Sequence, residues 1–401
     1  MNWKIRIALL SILVAVGAHM YLSFHYYPLH LGFAEGEAIC SFSEKFNCDA
    51  VSASRFSALF GVPMAVWGAA TNLVLLLMLL VYGFGMTENL GRQLRITVLL
   101  SGFVALTSLV MGSISMFYLG TYCPFCIVAY ITSFITFEAL RRNQTEPFFS
   151  HIGSDIKSAF GENKSFLGYA AGIPLLAVFS HFSIIQHYGA ENLDKVVRAS
   201  ILDWQANTSA NFDLNPLLAK GADADKAKMT IVEFADFRCG HCRKAALPLK
   251  AFVRSKTDVR LQFYVFPLDG ACNEAISRAD GGSCRLAKAV MCAEKTGQGW
   301  ALHDEIFGNQ ETLNRKHSVD ELDWELKEYT KKLGLNFDEL KACMESAEVH
   351  EQILAQAKLG EVAKVEGTPT IYVNGRKLPR GQLIPVLEGT HKNILSGTAS
   401  R

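Results

Sequence analysis

Residues 121–130 read TYCPFCIVAY. Cys123 and Cys126 stand two residues apart at the start of a long apolar run. Thiols at this spacing can close into a disulfide and reopen. The run predicts a membrane helix that begins at the pair, so one side of the dithiol meets water and the other meets lipid. Such a pair is placed to pass electrons between a water-exposed thiol and a carrier dissolved in the bilayer.

Working outward, residues 7–24, 62–82, 96–119, 122–140 and 166–187 are all apolar. Each run approaches or exceeds the roughly 20 residues that a spanning helix needs. An ionised residue at a helix centre costs about 2.5–3.5 kcal/mol on insertion. None stands there, and Glu138 lies near the end of its run. The first run follows Lys4 and Arg6 and holds the small residues Gly17 and Ala18, as a cleavable signal would. It is long for a signal, and more spans follow, so a retained anchor is expected. Ser108, Gly112 and Ser115 let the third helix pack closely on a neighbour.

With five helices, Lys4, Arg6, Arg92, Arg95, Arg141, Arg142, Lys157 and Lys164 fall on one side, and the short loops on the other side hold only Lys45 and Arg55. The excess marks the cytoplasmic side. The N-terminus is therefore expected inside and everything after residue 187 outside, with Cys40, Cys48, Cys123 and Cys126 all on the outer side. Half of the 401 residues are hydrophobic and 19% are charged, too apolar for an ordinary soluble protein. A net charge of +1 excludes bulk attraction to nucleic acid. Ten cysteines, with two CxxC pairs among them, fit an oxidising compartment.

Past residue 190 the pattern changes. Residues 191–207 read as an amphipathic helix with Val196, Val197, Ile201 and Trp204 on one side, and residues 207–225 are polar. They are expected to be a connector and a linker. MTIVEFADF (229–237) predicts a buried strand, and RCGHCRKAALPLKAF turns straight into a helix. Residues 259–266 predict a second strand, and helical patterns fill 274–365. Residues 370–373 predict a strand before an Asn374-Gly375 turn.

Cys239 and Cys242 thus lie between a strand and a helix, where free backbone N–H groups and the helix dipole favour thiolate. Cys239, the more exposed, is the expected nucleophile and Cys242 the resolving thiol. His241 between them can further stabilise a thiolate. A zinc site would need a second ligand pair at suitable spacing, and none is obvious. Cys272, Cys284, Cys292 and Cys343 admit three pairings. Cys272–Cys284, closing a Gly-rich loop, and Cys292–Cys343, joining two helices, are expected as structural staples. In the membrane half, Cys40 and Cys48 bracket SFSEKFN in a loop that can swing. Tyr130 shares a helix face with Cys126, one turn deeper. Its phenol can donate a hydrogen bond to a carrier carbonyl, although tyrosine is also common as a packing residue near membrane interfaces.

The soluble half resembles the thioredoxin superfamily and, within it, the DsbA-like branch. The matching residues are Phe234-Ala235-Asp236-Phe237 before Cys239-Gly240-His241-Cys242, and Gly367-Thr368-Pro369-Thr370 downstream. Cys292-Ala293-Glu294, Gln298-Gly299-Trp300 and His303 match in the helical insertion. The resemblance covers roughly residues 229–390. It implies a cis Thr368–Pro369 bond facing the dithiol, with Thr368, Pro369 and His241 at a substrate groove. The Gly-His dipeptide is that of protein disulfide isomerases, which are more oxidising than thioredoxin. It leaves the direction of reaction open.

The membrane half resembles the vitamin K epoxide reductase family in its bacterial form fused to a thioredoxin-like domain. The matching residues are Cys40, the run Cys48-Asp49-Ala50-Val51-Ser52-Ala53-Ser54, Gly61-Val62-Pro63 with Gly68, and Cys123-Pro124-Phe125-Cys126 with Tyr130, over about residues 5–190. The resemblance implies that Cys126 lies next to a quinone, that Cys123 exchanges with Cys48, and that Cys40 receives the attack from the soluble domain. It further implies that Ser54 lies near the quinone and that Tyr130 bonds a quinone oxygen. A serine at position 54 could equally cap a helix.

The expected fold is an all-α transmembrane bundle of five helices with a four-helix core, followed by an α/β thioredoxin-like domain with a helical insertion. The expected divisions are a membrane domain at 1–190, connector and linker at 191–228, and the thioredoxin-like domain at 229–401. The expected protein is a multi-pass inner-membrane oxidase that takes electrons from reduced exported proteins and passes them to menaquinone or ubiquinone, with no nucleic-acid or metal partner. An enzyme running backwards as reductase or isomerase would need a cytoplasmic electron source, and no cysteine lies on a predicted cytoplasmic segment. A thiolate metal-binding membrane protein is the rival from another class.

Overall fold

The computed structural model describes residues 2–34, 36–43, 45–144, 151, 153–155, 157 and 165–397. Glu44 of the cysteine-bracketed loop, Lys164 and residues 398–401 lie outside them. The chain divides into two compact units, Met1–Leu29 with Glu37–Glu191, and His30–Gly36 with Asn192–Arg401.

In the first unit, helix α1 (Trp3–Leu31) is followed by the short α2 (Cys48–Ser52) and a hairpin of two-residue strands, β1 (Ala58–Leu59) and β2 (Val62–Pro63). Then come α3 (Met64–Gly83), α4 (Leu90–Ile114) with a π-helical turn at Ser115–Leu119, α5 (Pro124–Arg141) and α6 (Ser165–His187). All but α2 are long and apolar enough to cross a membrane. Ile5, Ile12, Leu75, Leu79, Leu94, Val98 and Leu140 form one core drawn from α1, α3, α4 and α5. α6 joins this four-helix core through Phe166 against Val74 and Met78.

Polarity runs the reverse of a soluble bundle. Asn72, Gln93, Thr97, Ser101 and Ser133 are buried, whereas Leu10, Phe103, Leu106 and Phe179 face outward. Small residues bring α4 and α5 together, as membrane helices require. Ser133 Oγ donates to Ser108 Oγ at 2.9 Å, the Tyr130 ring rests on Gly112, and Ser115 Oγ donates to the Thr121 carbonyl at 2.6 Å. Basic residues gather at the end of the bundle remote from the cysteines. Lys4 Nζ donates to the Arg142 carbonyl at 2.7 Å, and Arg95 holds Asp155 by bonds of 2.6 and 2.9 Å.

The second unit is built on a mixed five-stranded sheet in the order β3 (Leu218–Gly221), β5 (Val259–Val265), β4 (Met229–Ala235), β6 (Thr370–Val373), β7 (Arg376–Lys377). β4 and β5 are parallel and the other pairs antiparallel. The crossover between the parallel strands holds α8 (Gly240–Arg254), as a βαβ unit demands. Asn374 and Gly375, both at positive φ, turn β6 into β7, the backbone of a two-residue hairpin. Six helices, α9 (Gly282–Glu294), α10 (Gly299–Gly308), α11 (Gln310–Asn314), α12 (Val319–Lys332), α13 (Phe337–Met344) and α14 (Ala347–Val362), fill the insertion between β5 and β6. Cys272 is bonded to Cys284 and Cys292 to Cys343.

Two stretches differ from the sequence reading. The expected connector, α7 (Leu193–Ala206), belongs to the second unit, where it packs on α15 (Ile384–Leu395). Trp204 is 1% exposed and donates from Nε1 to the Val373 carbonyl at 2.9 Å. The expected linker contributes edge strand β3, which pairs with β5 from Leu218 to Gly221. An apolar stripe shows that a helix is covered but not by what, and a four-residue edge strand carries little pattern of its own. The second difference is that residues 274–281 are not helical. Asp269 holds this loop by accepting from the main-chain N–H groups of Ala271, Gly281 and Cys284.

Candidate active sites

The soluble dithiol sits where β4 meets α8. Cys239 is the N-cap of α8, and its Sγ accepts from the Cys242 main-chain N–H at 3.4 Å. Both thiols are free. Cys239 is half-buried, whereas Cys242 is 0% exposed. Hydrogen bonding to Cys242 pulls the Cys239 thiol down to about 6, with partial burial opposing and the main-chain N–H groups of Cys242 and His241 assisting. Burial pushes Cys242 well above the usual range. The pair is thus a poised nucleophile above a protonated partner.

The Thr368–Pro369 bond is cis, as expected, and the Thr368 carbonyl lies 3.3 Å from Cys239 Sγ. Gln310 Nε2 ties the chain before the helix by donating to the carbonyls of Phe237 and Cys239, each at 2.9 Å. Asp236 spans from this turn to the next loop. Its carboxylate accepts from the N–H groups of Arg238 and Leu268, and its own N–H meets Cys242 Sγ at 3.5 Å.

The membrane dithiol repeats the capping geometry. Cys123 is the N-cap of α5, Pro124 occupies the first helical position, and Cys123 Sγ accepts from the Cys126 N–H at 3.1 Å. Proline is suited there because its missing N–H would have no helical partner. Cys123 is bonded to Cys126, and Cys40 to Cys48.

Cys48 opens α2, whose N-cap Asn47 accepts from the Ala50 N–H at 2.7 Å. The loop ending at Cys48 is tied to the chain entering α5. Asn47 N donates to the Tyr122 carbonyl at 2.9 Å, and Tyr122 N donates to that of Lys45 at 2.7 Å. Cys40, Cys48 and Cys123 pack in one buried cluster with Ala38. A cavity of about 450 Å³ opens beside it, lined by Cys48, Cys123, Cys126, Ser54 and Tyr130 among mostly apolar neighbours.

Residues 6–139 match the vitamin K epoxide reductase family, and residues 230–390 match the DSBA-like thioredoxin domain. The chain is 30% identical over 163 residues to a probable disulfide bond formation protein D of Bacillus anthracis, covering 38% of this chain and 67% of that one. The chain belongs to the vitamin K epoxide reductase family, in a form joined to a DSBA-like thioredoxin domain. It is also 26% identical over 152 residues to a Na(+)/H(+) antiporter NhaA 3 of Salinispora tropica. That match covers 38% of this chain and about a fifth (21%) of the antiporter's length. Among solved structures, oxidised BdbD of Bacillus subtilis aligns with 48% of this chain and 98% of its own at a TM-score of 0.38 and 21% identity.

The vitamin K epoxide reductase half brings Cys48, Cys123, Cys126, Ser54 and Tyr130 to one cavity, while Cys40 is bonded behind it. Ser54 lies past the end of α2 and donates to the Val51 carbonyl at 2.7 Å, so it caps no helix N-terminus. The loop cysteines are held by the Tyr122 bonds in the described state, where the sequence suggested a loop able to swing. In the thioredoxin half the His241 side chain is exposed, and its main-chain N–H is what assists Cys239.

Two carboxylates were not singled out from sequence. Glu233, inside the strand MTIVEFADF, is 2% exposed and its Oε1 has no hydrogen-bond partner among the described residues. Burial pushes it up to about 8, with the Cys239 charge adding. An acid amid strand hydrophobics was the available signal. Asp49 is buried, accepts from the Ala38 N–H at 3.1 Å and pairs with His25. It pins the start of the Cys40 loop.

Proposed function

We propose that the protein is a membrane thiol–disulfide oxidoreductase that forms disulfides in exported proteins and delivers the electrons to a quinone. One observation carries this reading: the sulfur-bearing residues Cys48, Cys123 and Cys126 line a single apolar cavity beside a second disulfide. A volume of about 450 Å³, mostly apolar walls and a few polar groups suit a flat, weakly polar ring. Cys126 and Tyr130 would flank that ring, with Ser54 near it. A quinone bound there accepts two electrons and two protons.

The chain's own steps are thiolate attacks on disulfides. With the soluble pair oxidised, a substrate thiolate attacks Cys239 and Cys242 leaves. A second substrate thiol then displaces Cys239, which yields a substrate disulfide and the reduced Cys239/Cys242 pair. The Cys239 thiolate attacks Cys40, releasing Cys48, and Cys242 resolves the mixed disulfide. Cys40 is 3% exposed, so this step requires the loop around it to lift. Cys48 attacks Cys123 and frees Cys126 as a thiolate beside the cavity, after which Cys40 closes on Cys48 and releases Cys123. One disulfide is consumed and one is made at every exchange. A low Cys239 pKa favours the reduced pair and so makes its disulfide the more oxidising partner.

The basic end of the bundle is proposed to be cytoplasmic, with both dithiols on the outer side of an inner membrane. Anaerobic mixing of fully reduced protein with a menaquinone or ubiquinone analogue tests the activity. Loss of quinone absorbance with reappearance of the Cys123–Cys126 bond is expected, and unchanged absorbance overturns the reading. For sidedness, a membrane-impermeant thiol reagent should label Cys239 in intact spheroplasts. Labelling only after lysis would reverse the topology.

A further inference from the structure

Residues 38–41 form a turn closed by its own main-chain bond, Ser41 N to the Ala38 carbonyl at 2.7 Å, with Cys40 at the third position. Three further hydrogen bonds fasten this turn to groups outside it. The Ile39 N–H donates to the Tyr21 hydroxyl at 2.9 Å, and the Ala38 N–H to Asp49 Oδ2 at 3.1 Å. Ser41 Oγ accepts from the Asp49 N–H at 3.2 Å and reaches the Asn47 side chain at a long 3.5 Å. Helix α1 stands behind these bonds. His25 pairs with the other carboxylate oxygen of Asp49. The Tyr21 ring stacks on Phe125, inside the motif Cys123-Pro124-Phe125-Cys126, with centroids 4.7 Å apart.

The Cys48 end is fastened differently. It is held by main chain, through the bonds of Asn47 N to the Tyr122 carbonyl and Tyr122 N to that of Lys45. The N–H groups of Phe42 and Ser43 donate to the Phe46 carbonyl at 3.1 and 3.2 Å, so the chain just past the turn is already folded back on the Cys48 side. Neither Tyr122 bond touches residues 38–41. Lifting the turn uncovers Ala38 and Cys40, each 3% exposed, whereas Ile39 is 75% exposed already. Only two small side chains therefore enter water.

We propose that Tyr21 and Asp49 are positioning residues that clip the Cys40 turn independently of Cys48, so that Cys40 lifts toward an incoming thiolate while Cys48 stays seated against Cys123. This rests on the thiol relay above and adds to it the groups that time its first and last steps. The incoming thiolate bonds to Cys40 as the Cys40–Cys48 bond breaks, and Cys48 leaves as a thiolate already packed with Cys123. When the turn is clipped down again, Cys40 is returned to Cys48 and displaces Cys123. The clip thus slows opening and speeds closing.

The test uses the full chain in lipid nanodiscs, with Cys239 alkylated and the disulfides intact. Reduced glutathione is the probe, and peptide mass spectrometry of acid-quenched samples reads its adduct at Cys40. A thiolate reaches Cys40 only in the fraction of molecules whose turn is open. Tyr21→Phe keeps the ring and removes one bond, and should speed adduct formation roughly 2- to 12-fold. Asp49→Ala should act in the same direction. Hydrogen exchange at the amide whose acceptor remains, Ala38 in Tyr21→Phe and Ile39 in Asp49→Ala, should quicken likewise, while Asn47 and Tyr122 keep their protection. With Cys239 free and turning over, Tyr21→Phe should also accumulate the Cys48–Cys123 bond, because Cys40 returns more slowly.

Should Asp49→Ala fail to fold, Tyr21→Phe carries the test alone. An unchanged adduct rate in Tyr21→Phe overturns the clip. So does exchange at Asn47 and Tyr122 that quickens together with Ala38, because the loop is then one body and Tyr21 merely stabilises it. An unaltered chain that takes up glutathione at Cys48 instead of Cys40, or at neither, overturns the relay on which the proposal rests.

Discussion

At both CxxC sites the first cysteine caps a helix, and its sulfur accepts the main-chain N–H of the second. The distance is 3.4 Å at Cys239 and 3.1 Å at Cys123. The exposure within each pair is reversed. In the soluble pair the capping Cys239 is partly open and Cys242 is 0% exposed. In the membrane pair the capping Cys123 is 2% exposed, packed with Cys40 and Cys48, and Cys126 is the more open. The four-residue motif therefore settles local geometry but not which sulfur meets a partner. At Cys239 the open side is flanked by the Thr368 carbonyl, where a peptide can approach. At Cys126 it is an apolar cavity.

The sharpest way to break this comparison is to remove the second cysteine of each pair. Cys126→Ala should abolish quinone reduction while exchange between the soluble and loop cysteines continues. Cys242→Ala should stop substrate oxidation, because Cys239 then has no disulfide to offer, and should leave its thiolate trapped on Cys40 as an unresolved Cys239–Cys40 bond, seen by mass spectrometry of non-reduced peptides. Wild-type quinone reduction by Cys126→Ala would end the proposed division of roles. Next in size, Cys40→Ala should strand a Cys48–Cys123 bond in most molecules, detectable by mass spectrometry of non-reduced peptides. A free Cys48 in that variant would remove Cys123 from the relay.

The electrostatic half of the comparison has a pH signature. A Cys239 pKa near 6 makes the thiol about 90% thiolate at pH 7, against roughly 3% for an unperturbed cysteine. Its alkylation rate should therefore inflect near pH 6, and Cys242 should stay unreactive. The sign for stability follows. The folded pKa lies below the unfolded one, so this group stabilises the reduced protein above the unfolded value. That contribution is lost as pH falls through about 6. An inflection above pH 8 would contradict the hydrogen-bond account. The smallest effect is expected for Tyr130→Phe. Losing one hydroxyl bond worth about 0.5–1.5 kcal/mol should weaken quinone binding roughly 2- to 12-fold, measured by titration.

The fold was largely legible because its signals are long. Runs of some twenty residues without a central charge have few readings, and the five helices appear where they stand. The strand–CxxC–helix and Thr368-Pro369 features were legible because each depends on a few fixed residue types. What stayed hidden depends on partners distant in sequence. The stripe Val197, Ile201, Trp204 announced a covered helix, yet only the structure supplies α15 and the Val373 carbonyl as its cover. Glu233 was invisible beside the soluble dithiol for a related reason. It is one acidic residue in an apolar strand, and only the fold shows that its Oε1 has no partner among the described residues.

The bridge between Phe46 and Tyr122 is made by the main-chain bonds Asn47 N to Tyr122 O and Tyr122 N to Lys45 O, and the two rings also meet, with centroids 5.7 Å apart. A side-chain change at 46 or 122 loses the ring contact but leaves both main-chain bonds available to hold the register. A change in residue count does not. One residue added between Phe46 and Cys48, or between Tyr122 and Cys123, shifts a sulfur by about 3.3 Å along extended chain. An S–S bond is only about 2.05 Å long. In these two short stretches length is held more tightly than composition, Asn47 apart, which caps α2, so single-residue insertions there should be more damaging than substitutions at 46 or 122.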